Sequence, residues 1–328
     1  MKEQKNMDTH VTRRGFISSG VAAIGAISIM PSSLLAVTET PSISQDTKPN
    51  STFNGVKIGA TTYSYGFGLG NEGYLQSCLE SGLSNIEFRD PDLSIEGIGR
   101  GFGGRTRGGR DNAAAATPMT EEELETRRAT WYRQLAKALD IRRMFNEAGV
   151  DIHCHKLSYG STEEEFDFAA SVVKALGAKG ITVERPSEEA IKAVAPFADK
   201  NKIWVAVHNH TDNGPSIDTI DPILQYGEYI GFNFDVGHYV AGTGLSPIPV
   251  IEKYHDRMVT IHLKDRTEDG ANLPFGQGTT PIKEILKLIA KEKWPIYCDI
   301  ELEYRIPQGS TREAEVKKCV EYCRDCLV

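Results

Sequence analysis

Two apolar runs in the second half of the chain end abruptly in residues able to bind a metal or move a proton. The first is Ile230-Gly231-Phe232-Asn233-Phe234-Asp235, continued by Val236-Gly237-His238. The second is Met258-Val259-Thr260-Ile261-His262-Leu263, continued by Lys264-Asp265-Arg266. Each run has the length of a buried strand, but packing does not explain the charged and imidazole groups at its end. Other apolar runs close the same way, on Glu87, His155, Glu184, His208 and Glu301. Two imidazoles with two or more carboxylates form a donor set for one borderline divalent ion such as Mn, Zn, Co or Fe. A single strand-end His or Glu is more often bonded to a neighbouring loop. Four on consecutive runs, His208, Asp235, His262 and Glu301, favour a metal site. His210 and His238 lie just beyond two of these and fit substrate contacts or support for the ligands. Lys264 shares the side of His262 by strand alternation, which aims it at a substrate oxygen; a surface salt bridge is the plainer reading.

These groups converge only if their strands run parallel in one sheet. From residue 56 the pattern alternates strand and helix without a second change of composition. Strands are predicted at 56–64, 84–88, 151–155, 180–184, 202–208, 230–235, 258–263 and 295–301. Helices are predicted at 74–81, from 119, at 161–177, and at about 187–199, 216–226, 246–255, 281–291 and 311–327. Thr120 with Glu123 makes a capping box, and Trp131, Leu135, Ala138 and Phe145 share one helical face. Eight strand–helix units predict a single (βα)8 TIM barrel over 55–328, with its active site at the C-terminal ends of the strands. A doubly wound open sheet is the rival, but no glycine-rich phosphate loop follows the first strand. The Gly- and Arg-rich stretch 99–110 interrupts the rhythm on the active-site face, and reads as a mobile lid bringing arginines to an oxyanion-rich substrate, with a disordered surface loop the plainer alternative.

The totals narrow the function. The 328 residues carry a net charge of −8, which repels a phosphate backbone and makes nucleic acid a poor partner. Thr12-Arg13-Arg14-Gly15-Phe16 precedes a weakly apolar run ending at Ala36, the layout of a twin-arginine export signal over 1–36. Its Gly, Ser and Pro content makes it a poor spanning helix, so no stable membrane insertion is expected after its removal. Residues 37–54 read as a flexible linker, and the destination as the periplasm. Of the six cysteines, Cys319 and Cys323 share an apolar stripe with Val316, Val320 and Leu327. Buried thiols are the expected reading, with a Cys-only metal site the alternative.

Four motifs occur in order: Phe234-Asp235-Val236-Gly237-His238, Ile261-His262-Leu263-Lys264-Asp265, the Gly276-Gln277-Gly278 turn, and Asp299-Ile300-Glu301-Leu302-Glu303. Together they resemble the xylose-isomerase-like TIM barrel superfamily, the sugar phosphate isomerase/epimerase group, across 55–328. The resemblance implies one divalent metal held from strands five to eight. Asp235, His262 and Glu301 match that pattern directly, whereas His208 stands where many members have Glu. The family's ketose epimerases use that strand-five Glu and the strand-eight Glu as acid and base. Here Glu184 or Lys156 would have to supply the missing partner of Glu301. The expectation is therefore a metal-dependent isomerase or epimerase that takes a proton next to a carbonyl of a sugar or keto-sugar. Glu301 and Glu184 are the candidate bases, and His210, His238, Lys264, Lys156 and His155 the substrate contacts. An exported lyase or hydratase cleaving 3-keto-glycosides by β-elimination, and a non-catalytic sugar-binding barrel, are the alternatives. An AP endonuclease-like metal site is a lesser one, because that group's Asp-x-His after strand seven is missing. A small-molecule sugar or glycoside is the expected partner, and a homo-oligomer is left open.

Overall fold

Eight parallel strands close on themselves in the computed structural model, whose described residues are 48–94, 120–160, 162–211 and 222–328. The strands are β1 Val56–Thr61, β2 Asn85–Phe88, β3 Asp151–Lys156, β4 Gly180–Glu184, β5 Trp204–His208, β6 Ile230–Asp235, β7 Met258–Leu263 and β8 Tyr297–Ile300. Each pairs with its neighbours in sequence. The ring shuts where β1 pairs with β8 (Ile58 opposite Cys298) and with β2 (Ala60 opposite Ile86). This is the (βα)8 TIM barrel expected from the alternating pattern. Both faces of these strands are buried, so they read as near-continuous apolar runs.

The surrounding helices are α1 Gly70–Ser81, α2 Glu121–Glu147, α3 Glu163–Leu176, α4 Glu188–Asn201, α5 Val236–Thr243, α6 Ile248–Tyr254, α7 Ile282–Glu292 and α8 Arg312–Leu327. Their starts follow local chemistry. Thr120 and Thr162 each build a full capping box with the glutamate three residues on, which satisfies backbone N–H groups left over at a helix start. The apolar face of α2 buries Trp131, Ala138 and Phe145, with Trp131 stacked on Phe168 of α3 at 4.5 Å. In α8, Val316, Cys319, Val320, Cys323 and Leu327 are buried as the stripe predicts, and all six cysteines are free. Among the described residues no cysteine joins a group able to hold a metal.

Two boundaries differ from expectation. The first strand stops at Thr61, because Thr62–Tyr65 form a 3-10 turn. Ser64 Oγ pins that turn to the end of β8, donating to Ile300 O (2.8 Å) and accepting from Leu302 N (2.9 Å). The fold also begins inside the predicted linker: Ser51 is fully buried and bonds Ile58 O at 2.6 Å, and Thr52–Phe53 pair antiparallel with β1. Local polarity hid this, since a serine's burial depends on partners distant in sequence. The helix predicted at about 216–226 lies mostly outside the described residues, as do the 1–36 export signal and the 99–110 lid. Among the described residues no helix is long and apolar enough to cross a membrane.

Candidate active site at the C-terminal mouth of the barrel

The motif residues are first of all local structure. Asp235 ends β6 and at once caps α5, accepting from His238 N at 2.6 Å. Gly237 follows because the first turn of α5 lies on Lys264: an added Cβ would sit 2.5 Å from Lys264 O. Asn209 ties β5 to β6, donating to Asp235 O (2.9 Å) and accepting from Asp235 N (2.8 Å). Asp265 accepts from Gly276 N (2.8 Å) and Gly278 N (3.0 Å), which shapes the Gly-Gln-Gly turn. These contacts account for the sequence motifs and hold the mouth in place.

Within that frame, the ligand-type atoms of His208, Asp235, His262 and Glu301 lie within 4.8 Å of one another. His262 is buried between two carboxylates, with Nδ1 3.0 Å from Glu301 and Nε2 2.6 Å from Glu87. Burial alone would lower its pKa, but Glu87 and Glu301 outweigh it and hold the pKa well above the usual value. The carboxyl of Glu301 is held well below its usual range: burial opposes ionisation, and Lys264 and His262 overcome it. Burial raises Asp235 to about 6 against the pull of Lys264. His208 is pushed down to about 3 by burial and by His262. It is therefore a neutral imidazole, and its Nδ1 is buried without a hydrogen-bond partner.

Lys264 is only 2% exposed. Its Nζ lies 3.0 Å from Asp235, 3.0 Å from Glu301 and 2.8 Å from Glu303. The Asp235 contact is an ion pair without hydrogen-bond geometry at Oδ2. Burial of an isolated ammonium costs several kcal/mol; the three carboxylates reverse its effect and raise the Lys264 pKa. His238 meets Lys264 Nζ at 2.9 Å on Nε2 and Arg266 Nη1 at 2.6 Å on Nδ1. Burial and Lys264 depress it to about 2, and a neutral imidazole accepts at one nitrogen only, so the two cations compete for it.

Glu184 stands beside the four-residue group, ion-paired with Lys156 and hydrogen-bonded to His210. Burial raises its pKa, but the His210 bond and the charge of Lys156 bring it well below the usual carboxylate range. His155 does not reach the mouth. A register shift between β2 and β3 opposes Glu87 to Cys154. His155 is then fully buried edge-on to Phe88 at 5.7 Å, and burial lowers its pKa to about 4. The structure thus brings together His208, Asp235, His262, Glu301, Glu184, Lys156, His210, His238 and Lys264, and leaves out His155.

Four participants lacked an assigned role in the sequence reading. Glu87 accepts from His262, from Thr182 Oγ1 (2.8 Å) and from Asn233 Nδ2 (3.0 Å). Arg266 and Glu303 complete the ring around Lys264 and His238. Period two along 262-264-266, 233-235 and 301-303 places Arg266, Asn233 and Glu303 beside residues already singled out.

A parallel eight-stranded barrel with such a mouth is an enzyme-type scaffold of the TIM class. Residues 113–326 match the family model of the xylose isomerase-like TIM barrel, and the chain belongs to that family. Comparison with curated proteins finds no match. Among solved structures, a sugar phosphate isomerase/epimerase from Parabacteroides distasonis ATCC 8503 is 20% identical with a TM-score of 0.55, covering 88% of this chain and 99% of that one. The 3-keto-D-glucoside 4-epimerase from E. coli is 12% identical with a TM-score of 0.56, covering 83% and 100%. The IolI protein with a bound zinc atom is 13% identical with a TM-score of 0.53, covering 83% and 98%. At these identities the likeness shows the fold.

Proposed function

We propose that the protein is a metal-dependent isomerase or epimerase of a sugar or keto-sugar, and that it removes a proton next to a carbonyl. The observation that carries this reading is the group His208, Asp235, His262 and Glu301, from the ends of four consecutive strands. The set fits a borderline divalent ion: two imidazoles, two carboxylates, and a buried His208 nitrogen with no other partner. The same ion type is present in the zinc-bound IolI neighbour. When bound, such an ion supplies Lewis acidity toward a substrate carbonyl or hydroxyl.

The chain's own residues do the rest. Glu184 lies outside the ligand group and is held ionised by Lys156 with a hydrogen bond to His210, so its carboxylate takes the proton. Lys264 and His238 bind substrate oxygens. Return of the proton at another carbon or on another face gives isomerisation or epimerisation. Loss of a group β to the carbonyl gives elimination, the second reading, which needs one base only. His208 favours that reading by removing a carboxylate from the end of β5. The neighbour that acts on a 3-keto-D-glucoside supports a keto-sugar. The Arg13-Arg14 leader supports a substrate met after export to the periplasm.

Incubation with keto-sugars in deuterated water tests the reading. Wild type is expected to place deuterium on the carbon next to the carbonyl, seen by NMR. Binding without exchange for every candidate would leave a sugar-binding barrel without catalysis.

Glu87 offers a separate check. It accepts from His262 Nε2, so it orients the ring that presents Nδ1 to the site. Glu87→Gln keeps the shape but loses one acceptor. Metal affinity, read by titration calorimetry, is expected to fall about 10–100-fold. Unchanged affinity would leave Glu87 a purely structural carboxylate.

A further inference from the structure

Beside the mouth, between the turn after β1 and the turn after β2, lies a cavity of about 330 Å³. That volume is at the small end of ligand sites, which run about 300–1,000 Å³. We propose that this cavity is a subsite for a second sugar ring, so that the substrate is a two-ring glycoside whose reacting ring lies at the metal-ligand group. The proposal rests on the sugar reading above.

The lining has the chemistry of a carbohydrate platform. Among the described residues it includes Tyr63, Phe67, Asn71, Arg89, Asp90 and Asp92. Phe67 is 75% exposed and stands edge-on to Tyr63 at 5.2 Å. The run Gly66-Phe67-Gly68-Leu69-Gly70 explains that exposure. All three glycines have positive φ, at 96°, 82° and 70°, so the backbone follows a path that holds Phe67 out from the core. The loop is held in place: Tyr74 Oη donates to Gly66 O (3.1 Å), and Arg312 Nη1 donates to Ser64 O (3.1 Å). An exposed aromatic ring on a fastened loop offers a flat apolar face at little ordering cost, and the C–H face of a sugar ring packs on such a surface.

The polar side of the lining suits hydroxyl groups better than phosphate. Asp90 is held by Lys137 Nζ (2.9 Å), Asp92 N (2.9 Å) and Asn71 Nδ2 (3.1 Å). Its carboxyl stays below the usual range, because Lys137 and the Asp92 N–H overcome the effect of burial. Arg89 is thus accompanied by two carboxylates, Asp90 and Asp92, which disfavour an anion and accept from hydroxyls.

Tyr63 connects this cavity to the mouth. Its ring meets Arg89 at 5.8 Å and Lys156 Nζ at 4.8 Å from the centroid, and Lys156 is the ion-pair partner of Glu184. Two side chains, Tyr63 and Lys156, therefore link the cavity to the base.

The test compares methyl 3-keto-β-D-glucoside, with one ring, and 3-keto-cellobiose, with two, by calorimetry on the metal-loaded full chain. Phe67→Ala is the variant, and its exposed position spares the core. The two-ring ligand should bind wild type about ten-fold more tightly than the one-ring ligand. Phe67→Ala should erase most of that advantage and leave the one-ring Kd within about two-fold. Equal binding of both ligands by wild type, or an equal effect of Phe67→Ala on both, overturns the subsite while the sugar reading stands. Failure of wild type to bind either ligand overturns both.

Discussion

Glu184→Gln is expected to retain its metal and lose solvent-deuterium incorporation by about 10²–10⁴-fold, the usual contribution of a general base. The carboxylate lies outside the group formed by His208, Asp235, His262 and Glu301, so its neutralisation leaves that group intact. Lys156 is its ion-pair partner and His210 its hydrogen-bond partner, and glutamine can still accept from either. Exchange and metal content therefore separate in this variant. In Glu301→Gln they should fall together, because Glu301 pairs with His262 and Lys264 inside the group. Metal analysis with NMR exchange on both variants distinguishes the roles. Full exchange in Glu184→Gln would move the base to Glu301 or Lys156.

His262→Ala is expected to reduce the bound metal from about one ion per chain to a small fraction, with activity lost in parallel. It should also weaken the fold, which Glu184→Gln should not. The imidazole stands between the buried Glu87 and the part-buried Glu301, and its removal leaves them facing each other. Breaking a buried pair costs about 3–5 kcal/mol. A domain of this size loses about 2–4 °C of Tm per kcal/mol, so the fall is large enough to see by circular dichroism. Metal is then measured well below the new midpoint, on protein that is folded. Full metal occupancy in His262→Ala would remove the ligand assignment, whatever the change in Tm.

Much of this architecture is legible before any coordinates. The strand runs, the capping box at Thr120 and the stripe of α8 are local patterns, each set by neighbours within a few residues. The same holds for the strand-end positions of His208, Asp235, His262 and Glu301. A repeated strand–helix period with polar residues at the same end of each strand is enough to bring them to one mouth. By itself, then, the sequence determined the barrel, its active face and the four-residue group. It also determined that Lys264 lies on the side of His262, because strand alternation is a local rule.

Tertiary structure decided what each group does once there. The register shift between β2 and β3 takes His155 from the mouth into the core beside Phe88, and strand registry depends on pairing residues 67 positions apart, such as Phe88 with His155. Glu87 meets His262 only through closure of the ring, since β2 and β7 are neither consecutive nor adjacent. Ser51 joined the fold, against its reading as linker, because Ile58 and Ser84 were there to bond it. Charge states follow the same division. Sequence names the ionisable groups, but their protonation depends on burial and on partners brought from distant strands. That is why His262 is raised and His208, 4.8 Å away between ring centroids, is lowered.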